Sequence, residues 1–200
     1  MKAIVFGGSG FLGSHVADAL DDAGHDVFIY DIKPSRYLRP SQTMITGDIL
    51  DEKKAAAAVK GCDIVYNFAG IADIDEAGKK PLESVKCNIL GNSILLEAAR
   101  KAKIKRFVFA SSLYVYSKAG GFYRSTKQAC ELLIENYHEV FKMPYTILRY
   151  GSLYGPRTDG NNFIYAIIKQ ALTHNKISRH GDGEEIREYI HVRDAAKGSV

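Results

Sequence analysis

Residues 1–14 read MKAIVFGGSGFLGS, and the reading of this stretch decides the fold. Four apolar residues, Ala3 to Phe6, run straight into Gly7–Gly13, which holds four glycines, and the apolar rhythm resumes along FLGSHVADAL. A strand, a glycine turn and a helix in direct succession match the dinucleotide-binding fingerprint, because small residues let N–H groups at a helix start approach a pyrophosphate. Gly8, Gly10 and Gly13 satisfy GxGxxG, and Gly7, Gly10 and Gly13 satisfy GxxGxxG. Asp31 ends the next apolar run, DVFIYD, 18 residues beyond Gly13, near where an acidic residue grips the adenosine ribose hydroxyls. A carboxylate there repels a 2′-phosphate, so NAD is favoured over NADP, a preference that the nearby Lys33 and Arg36 keep moderate.

The rest of the chain is wired to match. KAIVFG, DVFIYD, TMITGD, DIVYNFAG, KRFVFASS and YTILRYG are short β-branched and aromatic runs, and most are separated by segments long enough for helices. Runs so little diluted by polar residues imply strands buried on both faces, hence a doubly wound parallel α/β sheet between helices. Helices are expected over Phe11–Ala23, Asp51–Val59, Leu82–Lys103, Tyr123–Phe141 and Asn161–His174. Residues 1–150 read as the dinucleotide-binding domain. From Arg149 onward the pattern loosens into loops such as GSLYGPRTDGNN and RHGDGEE, so residues 151–200 read as the beginning of a smaller, truncated substrate lobe.

Composition narrows the classes. At 200 residues and 46% hydrophobic content the chain can bury a full core. The formal charge of +4, from 27 basic and 23 acidic residues mixed along the chain, gives no support to a nucleic-acid partner. No apolar stretch approaches the ~20 residues of a membrane span, so no membrane association and a cytoplasmic location are expected. Cys62, Cys87 and Cys130 form no CxxC pair, which points to reduced core residues rather than a disulfide framework or a metal site. The six histidines lack metal-ligand spacing.

A tyrosine four residues before a lysine on a helix puts both side chains on one face, where the ammonium stabilises a phenolate and lowers a pKa that starts near ~10. Three pairs have this spacing: Tyr114 with Lys118, Tyr123 with Lys127, and Tyr165 with Lys169. Tyr123 and Lys127 open a helix just before a strand, and Ser112 stands at the end of the preceding strand, where a parallel sheet collects its ligands. Only this pair has a hydroxyl partner in place.

Together these motifs resemble the extended short-chain dehydrogenase/reductases that act on sugar nucleotides: FGGSGFLG, GDI at 47–49, NFAG at 67–70, FASSLYVYS, YRSTK, LRYGSLYGPR and REYIHVRDAA. The middle is most similar to UDP-galactose 4-epimerases. The resemblance implies an NAD-dependent epimerase working through a transient 4-keto sugar, with a nucleotide-sugar substrate and a homodimer built on helices 82–103 and 123–141. Carried over by position, Gly7, Gly10, Phe11 and Leu12 would line the pyrophosphate. Asp31 and Ile32 would flank the ribose, and Asp48 and Ile49 the adenine. Phe68, Ala69 and Gly70 would wall the cofactor, with Tyr150 beside it and Asn88 tying the strand ends together. Ser112, Tyr123 and Lys127 would be the catalytic group, Tyr123 and Lys127 also touching NAD. Reductases, dehydratases and decarboxylases of the same family, and a noncatalytic NAD-binding protein, are the alternatives. Dehydratases carry acids just after the Ser/Thr, where this chain has Leu113 and Tyr114.

The chain departs from the pattern at four places. Only ten residues separate Ser112 from Tyr123, about half the usual loop, Ser152 replaces an asparagine, and Ala72 replaces a cofactor-contacting lysine. The chain also stops at Val200, inside the helix expected after HVRDAA, where relatives continue. His191 reads as structural, Asp194 as a helix cap, GDGEE as a solvated loop, and RTDGNN as a flexible connection.

Overall fold

The computed structural model describes residues 1–158, 160, 162–178, 184 and 186–200. The apolar runs become six strands: β1 Lys2–Phe6, β2 Asp26–Asp31, β3 Thr43–Thr46, β4 Ile64–Asn67, β5 Arg106–Ser112 and β6 Tyr145–Tyr150. All five pairings are parallel, in the order β3-β2-β1-β4-β5-β6. The order reverses between β1 and β4, and it is at such a switch point, beyond the carboxyl ends of the strands, that open α/β sheets leave a crevice for a ligand.

Between the strands run α1 Phe11–Asp22, α2 Glu52–Val59, α3 Ile74–Lys79, α4 Pro81–Ser84, α5 Gly91–Ala102 and α6 Gly121–Phe141, followed by α7 Phe163–His174 and α8 Val192–Lys197. Side chains alternate cleanly across the sheet. Ile4, Phe6, Phe107 and Phe109 face α2, α5 and α6, where they meet Val59, Leu95, Leu96 and Ile134. Ala3, Val5, Val27 and Val108 face the other way, onto Val16, Ala17 and Leu20 of α1 and Ala196 of α8. Period-two alternation with apolar residues on both faces is what a covered parallel sheet requires.

The expected helices form with four adjustments. The segment Leu82–Lys103 is not one regular helix: α4 and α5 are joined without a break by a π-helical stretch, Val85–Leu90. Within it the Asn88 carbonyl accepts from the buried Cys130 Sγ at 3.1 Å. α6 starts at Gly121, two residues before Tyr123, and α7 starts at Phe163, with the Asn162 side chain accepting from the Tyr165 amide. Asp194 is not the cap of α8; the His191 ring accepts from the Arg193 amide, and Asp194 sits in the first turn, where a carboxylate suits the helix dipole.

After β6 the chain is more regular than its loop-like composition suggests. β7 Ser152–Tyr154 and β8 Tyr189–His191 pair in parallel as a second, two-stranded sheet. α8 returns from β8 to pack on α1 and ends before Val200. The connection 157–162 and the 181–185 loop fall partly outside the described residues.

Phe107, fully buried between β4 and β6, and Leu172, almost fully exposed on α7, give a direct test of where the core sits. Phe107→Ala is expected to lower the unfolding free energy by about 3–5 kcal/mol, whereas Leu172→Ala should stay within about 0.5 kcal/mol of the parent. Urea unfolding of both variants checks this.

Candidate active site

The site begins with a backbone contact. Gly7 takes a positive φ of +75° and donates its amide to the Tyr30 carbonyl at 2.8 Å. A Cβ on Gly7 would stand 2.6 Å from the Phe68 and Ala69 backbone, and one on Gly13 would stand 2.2 Å from the Gly7 carbonyl. Both distances are far inside van der Waals contact, so the turn closes only because neither residue has a side chain. α1 opens directly behind it with no side-chain cap, so its first amides are not engaged by a capping residue.

A groove of about 300 Å³ lies over this turn, lined by Gly7, Gly10, Asp31 and Ile32 on one side and Phe68, Ala69 and Gly70 on the other. Asp48 and Ile49 close its far end together with Cys87. Asp31 is held in place by two amides, Oδ2 accepting from Ser9 at 3.0 Å and Oδ1 from Lys33 at 3.1 Å. The Tyr30 hydroxyl donates to the Asp48 carbonyl at 2.8 Å, which fixes the 47–49 loop against β2. Phe11 and Leu12 begin α1 just after Gly10 and are not among the residues that line this groove. Asn88 is not on its wall: buried behind Gly70, it accepts from the Ile71 amide at 2.8 Å and donates to the Ile71 carbonyl and Thr126 Oγ1, both at 3.0 Å. It ties the chain after β4 to α6.

A second cavity, of about 580 Å³, opens at the carboxyl ends of β5 and β6. Ser112, Tyr114, Tyr123 and Tyr150 line it, with Arg187 and Glu188 on its rim. The buried Ser112 hydroxyl accepts from the Tyr114 amide at 3.3 Å and, lying beside the Tyr123 phenol on the same cavity, favours its ionised form. Lys127 lies one turn further along α6, buried, its Nζ donating to the Ala110 carbonyl at 2.7 Å and standing 4.6 Å from the Phe109 ring centre. The phenol sits above its ordinary pKa because burial penalises the phenolate. That differs from the expected depression by Lys127, and geometry gives the reason: the ammonium points at a carbonyl and stands 5.7 Å from the Tyr123 ring centre. Tyr150 is pushed up to about 12 by burial, and its hydroxyl pairs with Ser199 Oγ at 2.7 Å.

Of the three tyrosine–lysine pairs, only Tyr123 and Lys127 join the hydroxyl of Ser112. Tyr114 lines the same cavity as Tyr123, its ring edge-on to Tyr123 at 6.3 Å, but sits in a 3-10 turn over Leu113–Tyr116 while Lys118 is exposed. Tyr165 and Lys169 lie on α7, which buries no side chain. Sequence reasoning missed Glu131, buried one turn beyond Lys127 and paired with Arg149. Its i+4 spacing from Lys127 was the available signal.

A six-stranded parallel sheet with a glycine turn at the switch point, an aspartate ending β2 and a Ser-Tyr-Lys group beyond β5 defines a dinucleotide-binding enzyme fold. The NAD-dependent epimerase/dehydratase family profile matches residues 3–200, and the chain belongs to that family. It is 31% identical to the low-salt glycan biosynthesis protein Agl12 of Haloferax volcanii, over 97% of this chain and 70% of that protein. It is 29% identical to a UDP-N-acetyl-alpha-D-glucosaminuronate decarboxylase of Bacillus cytotoxicus, over 100% of this chain and 70% of that protein. Among solved structures, the UDP-glucose 4-epimerase of Thermotoga maritima with UDP-glucose superposes with a TM-score of 0.93 at 26% identity, covering 100% of this chain and 72% of that one. The UDP-N-acetylglucosamine 4-epimerase of Methanobrevibacter ruminantium, in complex with UDP-N-acetylmuramic acid, gives 0.91 at 30% identity, covering 99% and 71%.

The groove fits NAD: bare backbone where a pyrophosphate would lie, an uncapped helix start facing it, and a fixed carboxylate at the ribose end. Lys127 bears a stability cost in return for its place. Burial draws its pKa from 10.5 to about 8, so between those values the unfolded chain binds more protons and stability rises with pH. Below about 8 the buried charge is a standing penalty. Lys127→Met is expected to unfold about 3 °C or more above the parent at pH 7, with the gain fading toward pH 10, as followed by circular dichroism melts.

Proposed function

We propose that this chain is an NAD-dependent nucleotide-sugar 4-epimerase of carbohydrate metabolism. The observation that carries the reading is the placement of Ser112 and Tyr123 on one cavity, whose lining takes up at Ala72, next to Ile71 of the dinucleotide groove, with Arg187 the one cation among its described lining residues. The relatives named as UDP-sugar 4-epimerases support the substrate class. Residues 1–150 are assigned to the dinucleotide and 151–200 to the substrate side. Gly7, Gly10, Phe11 and Leu12 are assigned to the pyrophosphate, Asp31 and Ile32 to the ribose, and Asp48 and Ile49 to the adenine. Phe68, Ala69, Gly70 and Tyr150 are assigned to the walls of the cofactor site, and Asn88 to its support.

Bound NAD supplies the hydride acceptor and donor. In its phenolate form, which the Ser112 hydroxyl favours, Tyr123 would take the proton from the sugar O4, and the Ser112 hydroxyl would donate to the same oxygen. Lys127, which gives one donor to the Ala110 carbonyl, has further donors for the ribose of the cofactor. The C4 alcohol loses a proton and a hydride, becoming a ketone. The ketone turns over in the cavity, receives the hydride on its other face and takes the proton back from Tyr123, so the reaction is redox-neutral. Elimination of water would need an acid and a base beside Ser112, and the neighbouring positions are Leu113 and Tyr114. Glu188 is the one carboxylate among the described lining residues, and its carbonyl is tied to the Ser152 amide at 2.8 Å.

Tyr123→Phe should reduce turnover of UDP-sugars by about 10³-fold while leaving NAD affinity by calorimetry unchanged. NAD should bind at least ~tenfold more tightly than NADP, and Asp31→Ala should narrow that gap. Equal affinities in the parent would overturn the assignment of Asp31.

The free thiols Cys62, Cys87 and Cys130 suit a reducing cytoplasm. A homodimer is assigned to the outer surface of α4–α5 and α6, which exposes Leu82, Val85, Leu90, Leu132, Val140 and Phe141. Light scattering at micromolar concentration is expected to give twice the chain mass, and serine at Leu132 and Val140 should return it to a monomer.

A further inference from the structure

The connection from Ser112 to Tyr123 is short, and α6 holds it from three directions. The Gln128 amide donates to the Val115 carbonyl at 2.9 Å, and Arg124 Nη1 donates to the Ser117 carbonyl at 2.9 Å. The third attachment is longer. Glu131, buried on α6, accepts from Arg149 through Nε to Oε1 at 3.0 Å and Nη2 to Oε2 at 2.8 Å, a two-pronged pair. Ser111 Oγ donates to the same Oε1 at 2.5 Å, which fixes the residue before Ser112. The remaining arm of Arg149 donates from Nη1 to the Tyr116 hydroxyl, and the guanidinium carbon lies 4.9 Å from the Tyr116 ring centre.

These contacts bracket Ser112, at Ser111 before it and in the turn that follows it. A chain with so few residues between strand and helix has little packing of its own, and a hydroxyl displaced by about 1 Å loses much of its value in a catalytic site. We infer that the Glu131–Arg149 pair, gripping Ser111 on one side and Tyr116 on the other, is a positioning device that sets Ser112 against Tyr123. Glu131, Arg149 and Tyr116 touch neither cavity. They act through Ser112, and the inference rests on the assignment of Ser112 and Tyr123 as partners.

The test reads the phenol itself, so it does not depend on turnover. In protein carrying tyrosine labelled with 13C at Cζ, the Tyr123 resonance is assigned by its loss in Tyr123→Phe and titrated against pH. The groups facing the phenol are Ser112, the Tyr114 ring and Lys127, with Glu131 and Arg149 behind them. Ser112→Ala removes the hydroxyl that favours the phenolate, so the Tyr123 titration should move upward by about half a unit or more. Arg149→Met and Tyr116→Leu should each move it the same way, and Arg149→Lys, which keeps the charge but loses the two-pronged fit, should fall between Arg149→Met and the parent. In the Ser112→Ala background none of these should add anything.

Tyr116→Leu alters an exposed side chain and keeps the variant series usable if Arg149→Met fails to fold. A titration unmoved by Arg149→Met or Tyr116→Leu, or moved equally with and without Ser112, overturns the inference and leaves the pair a purely structural one. If the parent protein fails to epimerise any nucleotide sugar while the coupling to Ser112 is seen, the functional reading falls and the positioning device stands.

Discussion

The contact on which the site depends is backbone against backbone: Gly7, at the end of β1, lies against Phe68 and Ala69, at the end of β4. A parallel sheet reverses its strand order at this place, and the two chains leaving it would otherwise diverge to opposite faces. Gly13 repeats the demand one turn into α1, so the helix start is pulled down onto the turn that precedes it. The groove between Asp31 and Gly70 is the space left when these three segments close together. Its floor carries no side chains, which is why polar backbone can meet a phosphate there.

On the other side of the switch point a single helix acts as the ruler. Tyr123, Lys127 and Glu131 follow one another at intervals of four along α6, one face of a helix by its 3.6-residue turn. Tyr123 opens to a cavity, Lys127 lies against Ala110 of β5, and Glu131 lies against Ser111 and Arg149. An ammonium and a carboxylate are thus buried in successive turns, each with its own oxygen or nitrogen partner.

Most of the architecture was legible because buried parallel strands and glycine turns are written locally. MKAIVFGGSG through Asp31 contains strand, turn, helix and the strand-ending carboxylate in one unbroken stretch, and Tyr123 with Lys127 is a helical spacing. What escaped the reading was long-range or polar. Nothing local marks the π-helical stretch at Val85–Leu90, whose Asn88 carbonyl accepts from the Cys130 thiol 42 residues away. β7 and β8 are three residues each and exist by pairing with each other across a long insertion, which no local pattern announces. The cap of α8 was misassigned because Asp is the commoner cap, whereas here the His191 ring is turned toward the Arg193 amide and also meets Tyr154 edge-on. The expected depression of the Tyr123 phenol failed because spacing fixes the helix face but not where a lysine ammonium points.

The small β7–β8 sheet raises a further question of support, since two strands alone do not make a stable unit. Its rigidity is borrowed from α1. Beyond β7, the Arg157 guanidinium meets Asp18 at 2.6 Å and lies 4.4 Å from the Tyr37 ring centre, while the His15 ring bonds the Pro156 carbonyl at 3.0 Å. Asp18 is shared with Arg39, which also reaches Asp21 and Asp22 and so carries the loop after β2 into the same network. Arg157 adopts a positive φ of +69°, an unfavourable conformation for a residue with a side chain, and the ion pair with a nearly buried Asp18 is what compensates it. From the far side, the Tyr150 hydroxyl holds Ser199 beyond the end of α8, while α8 itself packs on α1. The substrate-side cavity is therefore framed by strands whose position is set by α1, the helix whose first turn faces the dinucleotide groove. A displacement of that helix would be felt at both cavities at once, which makes the two halves of the site one mechanical unit.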